Sequence, residues 1–470
     1  DASLHSFLLH PNPESRRNQK KSDGMISSAS NSQCFLLFLL LFLLQPFTSR
    51  SSSTTGGAKA SSLSLVLPLR VQKVPSLALR KPSNKLLFHH NVSLTVPLAV
   101  GTPPQNVSMV LDTGSELSWV LCNSSAVHSF DPNRSSSYHP VPCSSPTCRD
   151  RGRDLPMPPI CDASSPGGRC HVYLSYADAS TADGAIATDS FLVGSSPSLP
   201  TVFACVASAY SSAGGDTDAA GLLGMNRGSL SFVTQSGIRR FSYCIPDHDA
   251  FGLLLLGNAE PPFPLPFNYT PLIQITLPLP YFDRVAYSVQ LEGIRVGHAL
   301  LPIPKSVLVP DHTGAGQTMV DSGSQFTFLL GPAYDALKAE FSRQTRGALA
   351  PLGEPDFVFQ GAFDLCFRVP AAREEPPPGL PAVVLLLRGG AEVAVGGETL
   401  LYRVPGEVRG ADAVWCFTFG NSDLVPLSAY VIGHHHQQNV WVEYDLENAR
   451  VGFAPARCDQ ASRQLGVASP

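Results

Sequence analysis

The amino-acid sequence predicts an all-β protein built from two similar β-rich lobes. The main observation is a motif that occurs twice: an apolar run leads into DTGS at residues 112–115 and again into DSGS at residues 321–324. The matching lead-ins and trailing residues indicate a duplicated unit that places two carboxylates against each other. The second observation is composition, because the 470 residues include 42 prolines and 38 glycines. This usage is typical of many short strands joined by turns.

Charge and polarity narrow the possible partners. Hydrophobic residues make up 43% of the chain and charged residues 15%, and the formal net charge is −4. Because a nucleic-acid-binding domain normally carries a basic patch or stripe, these values argue against nucleic acid as a partner. A chain of this length can form two or three folded domains with a large core.

The first 86 residues are interpreted as segments that precede the folded lobes. Residues 1–24 are polar and lie before the first methionine, Met25, so we interpret them as an upstream extension. Residues 25–50 are predicted to be a signal peptide, because the apolar run at 35–44 is shorter than the roughly 20 residues that a membrane span needs. A short anchor or a core helix is the alternative for this run. Residues 51–86 are predicted to be a pro-segment or linker, and no stable membrane span is expected after signal removal.

The N-terminal lobe is predicted to span residues 87–270. Apolar stretches at 91–100 and 105–111 indicate two strands joined by a Gly-Thr-Pro-Pro turn. Residues 122–170 differ in character. They form a cysteine-rich, loop-like insertion with little apolar material, so crosslinks would have to hold it. A long hairpin is predicted next, across residues 171–192.

The C-terminal lobe is predicted at residues 271–460, followed by a tail at 461–470. After the second acidic motif, Tyr334, Leu337 and Phe341 recur at helical spacing, so a helix is expected there. Alternating apolar stretches predict strands at 383–387, 392–395, 414–419, 440–444 and 450–454.

Further motifs point to a family. An apolar-apolar-glycine triplet follows each acidic motif, at 222–224 and 431–433, and a tyrosine-bearing hairpin lies between the two acidic motifs. This pattern resembles pepsin-like aspartic proteinases over most of the chain. The resemblance implies the bilobal pepsin-like acid protease fold, with an active-site cleft between the lobes. The cysteine-rich insertion is similar to the plant nepenthesin-type subgroup. Three stretches are closer still to the plant proteinases named for promotion of cell survival: 175–180, 224–229 and 430–438.

The resemblance assigns the chemistry to two acids. Asp112 and Asp321 would share one proton, because two close carboxylates cannot both be ionised comfortably. The ionised acid would take a proton from water and the protonated acid would donate to the scissile carbonyl, with the pair titrating as a unit. Six neighbours are implied to support the pair: Thr113, Gly114, Ser115, Ser322, Gly323 and Ser324. The alternative is that both triplets are only turns at strand ends.

The same family implies a substrate flap. Tyr176 matches the flap tyrosine and Trp119 matches its indole partner, and the flap would exclude water from bound substrate. Ordinary strand packing is the alternative for both residues. The chain departs from the family at Ala177 and Ala179, which replace the usual glycines. If those positions need a positive φ, each alanine costs roughly 1 kcal/mol.

Eleven cysteines are present, and one of them, Cys34, lies in the apolar run near the N-terminus. The other ten favour an oxidising compartment if that run belongs to a secretion signal. By resemblance they pair as Cys122–Cys205, Cys143–Cys170, Cys148–Cys161, Cys244–Cys458 and Cys366–Cys416. The residues alone leave the connectivity open.

Two further features concern the surface and the question of metal binding. Five Asn-X-Ser/Thr sequons predict exposed glycan acceptors in a secreted chain, or else unused sequons. They begin at Asn91, Asn106, Asn123, Asn133 and Asn268. Three consecutive histidines at 434–436 suggest a metal site, but on a strand successive side chains point to opposite faces. A loop or packing role is therefore favoured, and we expect no metal and no cofactor.

These observations predict a monomeric aspartic endopeptidase of the plant secretory pathway, made as a zymogen, that hydrolyses extended polypeptide substrates. The expected location is the cell exterior or wall, or the endoplasmic reticulum, with the vacuole ranked behind them. One alternative is a catalytically inactive pepsin-fold protein of the cell wall that binds a partner or is the target of an inhibitor. Another is a structural, glycosylated wall protein. Loss of either acid would favour the inactive protein, and both acids are present.

Overall fold

The structure is a computed structural model that describes residues 63–73, 92–122, 129–164, 167–178, 180–210, 219–247 and 250–467. The predicted upstream extension and signal peptide and most of the stretch at 51–86 lie outside these residues. Cys34, Asn91, Asn123 and Ala179 lie outside them too. Within the described ranges, no helix is long and apolar enough to cross a membrane.

Strands dominate the described chain, because stretches in which successive side chains alternate between two faces can bury one face in a core. In the first half they are β1 Ser64–Lys73, β2 Val92–Val100, β3 Gln105–Asp112, β4 Trp119–Leu121, β5 His139–Pro140, β6 Ile160–Asp162, β7 Arg169–Ser175, β8 Thr181–Leu192, β9 Leu199–Tyr210, β10 Gly221–Gly224, β11 Arg240–Cys244, β12 Phe251–Gly257 and β13 Asn268–Pro271.

The second half continues this pattern with shorter strands. They are β14 Ser288–Val289, β15 Leu291–Val296, β16 Ala299–Leu300, β17 Gln317–Val320, β18 Thr327–Leu329, β19 Ala350–Pro351, β20 Cys366–Pro370, β21 Val383–Leu387, β22 Glu392–Val395, β23 Leu401–Arg409, β24 Asp412–Phe417, β25 Phe419–Asn421, β26 Ala429–Ile432, β27 Val440–Asp445 and β28 Arg450–Pro455.

Helices are few and mostly short among the described residues. The α-helices are α1 Pro146–Arg149, α2 Phe232–Gln235, α3 Gly331–Gln344 and α4 Cys458–Gln464. Single 3-10 turns lie at Pro132–Arg134, Arg151–Asp154, Lys305–Val307, Arg388–Gly390, Gly397–Thr399, Ser422–Leu424 and His434–Gln437. Helix α3 confirms the helix predicted after the second acidic motif, and Tyr334, Leu337 and Phe341 form its buried face.

One large sheet connects the two halves of the chain. Its strands lie in the order β13-β28-β27-β11-β12-β1-β2-β3-β10-β4-β9-β8-β7-β6. Strands β27 and β28 come from the end of the chain, yet β27 pairs with β11 of the first half. The Cys244–Cys458 disulfide joins the same two regions. The sequence-derived boundary near residue 270 therefore does not coincide with a boundary between sheets.

Strand β1 lies in the middle of this sheet, between β12 and β2. Leu65, Leu67 and Leu69 are buried on one face. The stretch at 51–86 was predicted to be a pro-segment or linker, and within it residues 64–73 form a strand of this sheet. The spacing of the three leucines, every second residue, is the period of a strand with one buried face.

The remaining strands of the second half form three smaller sheets. The sheet that matters for the site has the order β14-β17-β26-β18-β25. The others have the orders β16-β15-β21-β22 and β19-β20-β24-β23.

The described residues form five disulfides, and the structure corrects two of the expected pairs. Cys143 pairs with Cys161, and Cys148 pairs with Cys170. The resemblance had implied the exchanged pairing, which is wrong for this structure. Strands β6 and β7 place Cys161 directly opposite Cys170, so both are near either partner. Burial separates the two pairs, because Cys148 and Cys170 are both buried while Cys161 lies at the surface.

The other three disulfides agree with the resemblance. They are Cys122–Cys205, Cys244–Cys458 and Cys366–Cys416.

Candidate active site

Two matching arrangements of strands position the repeated acidic motifs. Asp112 ends β3, which runs parallel to β10, and Gly224 of β10 lies opposite the acid. Asp321 directly follows β17, which runs parallel to β26. The backbone N–H of Asp321 donates to Ile432 O at 3.1 Å. Each acid therefore stands at the carboxyl end of a strand that is supported by the neighbouring apolar-apolar-glycine triplet.

Reciprocal hydrogen bonds join the two acidic loops. The backbone N–H of Thr113 donates to Ser322 Oγ at 3.0 Å, and the N–H of Ser322 donates to Thr113 Oγ1 at 2.9 Å. The two hydroxyls also donate across the loops, Thr113 to Val320 O at 3.3 Å and Ser322 to Leu111 O at 2.9 Å. All four groups belong to buried residues, where an unmade hydrogen bond is costly. These hydrogen bonds therefore fix the two loops relative to each other.

Each carboxylate is also held by its own loop. The N–H of Gly114 donates to Asp112 Oδ1 at 2.8 Å, and Ser115 Oγ donates to Asp112 Oδ2. The N–H of Gly323 donates to Asp321 Oδ1 at 2.9 Å, and Ser324 Oγ donates to Asp321 Oδ2 at 2.6 Å. These hydrogen bonds favour the ionised form of each carboxylate, because the carboxylate oxygens accept all of them.

The two glycines allow the carboxylates to approach the opposite loop. A Cβ added at Gly114 would lie 2.9 Å from Asp321 Oδ1, and one added at Gly323 would lie 2.5 Å from Asp112 Cγ. Both distances are shorter than a normal van der Waals contact of about 3.5 Å. The structure therefore brings each acid close to the glycine of the opposite loop.

The environment shifts the protonation of this pair. Burial, and then the charge of Asp321, raise the pKa of Asp112 to about 7, although the hydrogen bonds from Ser115 and Gly114 act in the opposite direction. The side chains of the two acids also hydrogen-bond to each other. Because they interact so closely, the proton belongs to the pair and its titration is shared. Below about pH 7 a proton is therefore retained at this site.

A tyrosine in the turn of the hairpin β7–β8 lines the same cleft as the acids. Trp119 Nε1 donates to Tyr176 OH at 2.7 Å. Burial and the nearby charge of Asp112 raise the pKa of Tyr176 above its ordinary value, so the phenol stays neutral. The two residues that matched the family's flap are therefore in direct contact with each other, within reach of the charge of Asp112.

The turn at the tip of this hairpin does not need a glycine at residue 177. Ala177 is not one of the described residues that have a positive φ, so the alanine at this position causes no backbone strain of that kind. The carboxylate of Asp178 accepts from the N–H of Ser180 at 2.9 Å and from its hydroxyl at 2.7 Å. The N–H of Tyr176 donates to Ser180 O at 3.0 Å. These bonds close the turn.

Both acids line a cleft of about 790 Å³. Both halves of the chain line it, together with the hairpin tip. The lining includes residues 112–117, 153, 155–157, 173–178, 278–287, 317, 319–321 and 425–429. A space of this size lined by both apolar and polar groups is typical of a ligand site.

Sequence comparison identifies the family. Two family models match, the xylanase inhibitor N-terminal model at residues 95–258 and the xylanase inhibitor C-terminal model at residues 286–455. The chain is 57% identical to Aspartic proteinase PCS1 of Arabidopsis thaliana over 414 residues, which cover 86% of this chain and 90% of that protein. This chain belongs to the plant pepsin-like aspartic proteinases.

Other members of the family are more distant. Aspartic proteinase nepenthesin-2 of Nepenthes gracilis is 31% identical over 370 residues, covering 77% of each chain. Among solved structures, Basic 7S globulin from soybean aligns with a TM-score of 0.60 at 20% identity, covering 85% of this chain and 99% of that one. A second structure, described as edgp, aligns with a TM-score of 0.61 at 18% identity. The two structures confirm the bilobal fold.

In this aspartic proteinase, an arginine that the sequence reading left without a role braces the cleft. Arg227 belongs to the loop after β10, and its side chain donates to Ala286 O at 3.1 Å and to Arg284 O at 2.7 Å. Its N–H donates to Val285 O at 2.9 Å. The acceptors belong to the 278–287 rim of the cleft. The motif Gly-Met-Asn-Arg-Gly-Ser contributed to the family resemblance, but no local signal points to this long-range contact.

The three consecutive histidines of the proteinase pack beneath the second acidic loop. They form a 3-10 turn rather than a strand. His436 Nδ1 lies 2.7 Å from Thr327 Oγ1 and its Nε2 lies 2.8 Å from Thr418 Oγ1, while His435 Nε2 lies 2.9 Å from Thr399 O. Burial lowers the pKa of His435 to about 4 and lowers that of His436 as well. In the part of the chain that the structure describes, no group of three His, Cys, Asp or Glu side chains could hold a metal ion.

Three of the predicted sequons can be located. Asn106, Asn133 and Asn268 are all exposed. Their positions are compatible with modification, whereas the other two sequons begin outside the described residues.

Proposed function

We propose that this protein is an endopeptidase that hydrolyses peptide bonds of polypeptides by activating water between Asp112 and Asp321. The observation that carries this proposal is that the buried carboxylate of Asp112 and the partly buried carboxylate of Asp321 lie against each other's loops and interact, and that both line one cleft. The 57% identical relative is named an aspartic proteinase, which supports the same activity.

The proposed mechanism uses the single proton of the pair. The ionised carboxylate accepts a proton from a water molecule as that water attacks the scissile carbonyl, and the protonated carboxylate donates to the carbonyl oxygen. Collapse of the tetrahedral intermediate then passes a proton to the leaving amine and releases two peptides. Sharing of one proton between two carboxylates is established behaviour of aspartic proteases in general. Activity requires the one-proton state and therefore falls as pH rises through about 7.

The flap and the cleft would bind the substrate. An extended peptide in the cleft can use backbone hydrogen bonds for affinity and side-chain pockets for selectivity. Tyr176, fixed by Trp119, would close over the peptide and exclude bulk water, which strengthens the electrostatic interactions around the acids.

The proposed setting is the secretory pathway, with delivery to the cell exterior or wall or retention in the endoplasmic reticulum. Five disulfides support an oxidising compartment. The exposed sequons are consistent with it. The signal peptide, the processing sites and the monomeric state stay predictions.

An inactive role is the second candidate, because both matching family models are described as xylanase inhibitor domains. The site does not favour it. Both acids are present, and the hydrogen bonds that the six neighbouring residues make to them or across the two loops support the catalytic proposal instead.

The test is cleavage of an acid-denatured protein by the purified chain, with and without pepstatin. The assay runs from about pH 3 to about pH 8, a range that includes the ordinary pKa of a carboxyl group and the raised pKa of Asp112. We expect pepstatin-sensitive cleavage that is abolished in Asp112→Asn and in Asp321→Asn. The exposed Asp311→Asn variant controls for loss of a carboxylate elsewhere and should behave as wild type. Cleavage that persists in both dyad variants would refute the mechanism, and absence of cleavage in the wild type would favour the inactive role.

A further inference from the structure

The cysteine-rich insertion provides part of the cleft wall. Residues 155–157 of the insertion, which we call the insertion wall, line the cleft, as do residues 173–178 of the flap hairpin. Met157 is 48% exposed, a large value for an apolar side chain in this position. Ile160, three residues later in the same insertion, is 63% exposed but does not line the cleft. One exposed apolar side chain of the insertion therefore faces the substrate space and a second does not.

Covalent and polar contacts hold the insertion in place. The Cys148–Cys170 disulfide ties α1 to β7, the first strand of the flap hairpin. The guanidinium of Arg151 donates to Ser229 O, and Ser229 Oγ donates to Arg151 O at 3.1 Å. Ser229 belongs to the loop after β10. The same loop carries Arg227, whose side chain contacts the 278–287 rim of the cleft. The wall is thus fixed relative to the acids.

Buried apolar contacts connect the wall to the flap. Leu155 is only 4% exposed and packs in a cluster with Leu117, Val172 and Leu230. Trp119, which holds the flap tyrosine, packs against the same cluster. Since a packed cluster resists small displacements, Leu155 fixes the direction in which the following residues leave the core.

We propose that the insertion wall is a specificity-determining contact of the cleft, in which Met157 receives a large apolar side chain of the substrate. This inference rests on the proposed endopeptidase function and names a residue that chooses among its substrates. Methionine suits this role, because its unbranched, polarizable side chain adapts to aliphatic and aromatic groups of different shape. Arg153 also lines the cleft, but its guanidinium lies 3.2 Å from Asp150, which offsets its charge.

The experiment compares Met157→Glu with Ile160→Glu in the full chain. Both variants place a carboxylate at an exposed apolar position of the same insertion, so both should fold. A set of peptides that differ only in having Phe, Leu, Lys or Glu at each position around the cleaved bond is assayed for kcat and KM. We expect Met157→Glu to raise KM for Phe and Leu peptides by roughly tenfold or more at one position, to reduce the preference over Lys there, and to leave kcat nearly unchanged. Ile160→Glu should show the wild-type profile.

A binding measurement separates this inference from the proposed function. The same peptides are titrated by fluorescence anisotropy against three Asp112→Asn chains, one with no further change, one with Met157→Glu and one with Ile160→Glu, so that turnover is not required. If the Asp112→Asn, Met157→Glu double variant loses the preference for apolar side chains at one peptide position, the proposed role of Met157 is supported even if the wild type cleaves nothing. Identical profiles for Met157→Glu and Ile160→Glu in turnover and in binding would overturn it.

Discussion

The substitution Gly323→Ala tests how closely the two acidic loops approach each other. The new Cβ would lie 2.5 Å from Asp112 Cγ, whereas two carbon atoms prefer about 3.5–4.0 Å, so a displacement of about 1 Å is required. The carboxylate of Asp112 cannot move freely, because Gly114 N–H and Ser115 Oγ hold its oxygens. The clash therefore has to displace a loop that carries an acid.

Its effect on activity should exceed its effect on stability. A displacement of about 1 Å in a catalytic arrangement can reduce the rate about 100-fold, while overpacking of this kind costs about 1–3 kcal/mol of folding free energy. The related Gly114→Ala should be milder, since its Cβ would lie 2.9 Å from a carboxylate oxygen. We expect kcat/KM to fall in the order wild type, Gly114→Ala, Gly323→Ala.

The assay measures kcat/KM for a peptide substrate at acid pH and the free energy of unfolding in urea. Gly293→Ala is the control, because its Cβ would meet only side-chain methyl groups at 3.3 Å and 3.4 Å in a sheet away from the cleft. Activity of Gly323→Ala within a few-fold of wild type, with normal stability, would show that the acids are not held against the opposite loop.

Three further predictions follow from the same structure. Between about pH 4 and pH 7 the folded protein keeps a proton on Asp112 that the unfolded chain has released, because the pKa of Asp112 is raised on folding. The free energy of unfolding should therefore fall as pH rises through this window. Asp112→Asn should flatten this dependence in calorimetric scans. Leu69→Ala should lower the free energy of unfolding by about 2–5 kcal/mol, because Leu69 is buried in an internal strand. Val66→Ala, at a partly exposed position of the same strand, should have a small effect. Equal stability of the two variants in urea would mean that β1 contributes little to the stability of the fold. Arg227→Lys should lose about 1–3 kcal/mol, since an ammonium cannot reproduce the guanidinium contacts to two carbonyls, whereas the exposed Arg239→Lys should be neutral by the same denaturation assay.

Local patterns were sufficient for much of this protein. The duplicated motif placed Asp112 and Asp321 in equivalent settings, and the side chains that support them lie within three residues of each acid. Helix α3 was recognisable from the spacing of three apolar residues. Such features depend on contacts between near neighbours or on the symmetry of a repeat, so the order of residues alone carries them.

Tertiary structure decided the features that depend on distant partners. The pairing of Cys148 with Cys170 depends on which cysteines are buried together, and spacing along the chain contains no such information. The reach of Arg227 to the opposite rim and the exposure of Met157 in the cleft likewise arise only when segments far apart in sequence are brought together. Strand β1 shows the same limit, because its leucine alternation is local, but its place between β2 and β12 is set by pairing across the sheet.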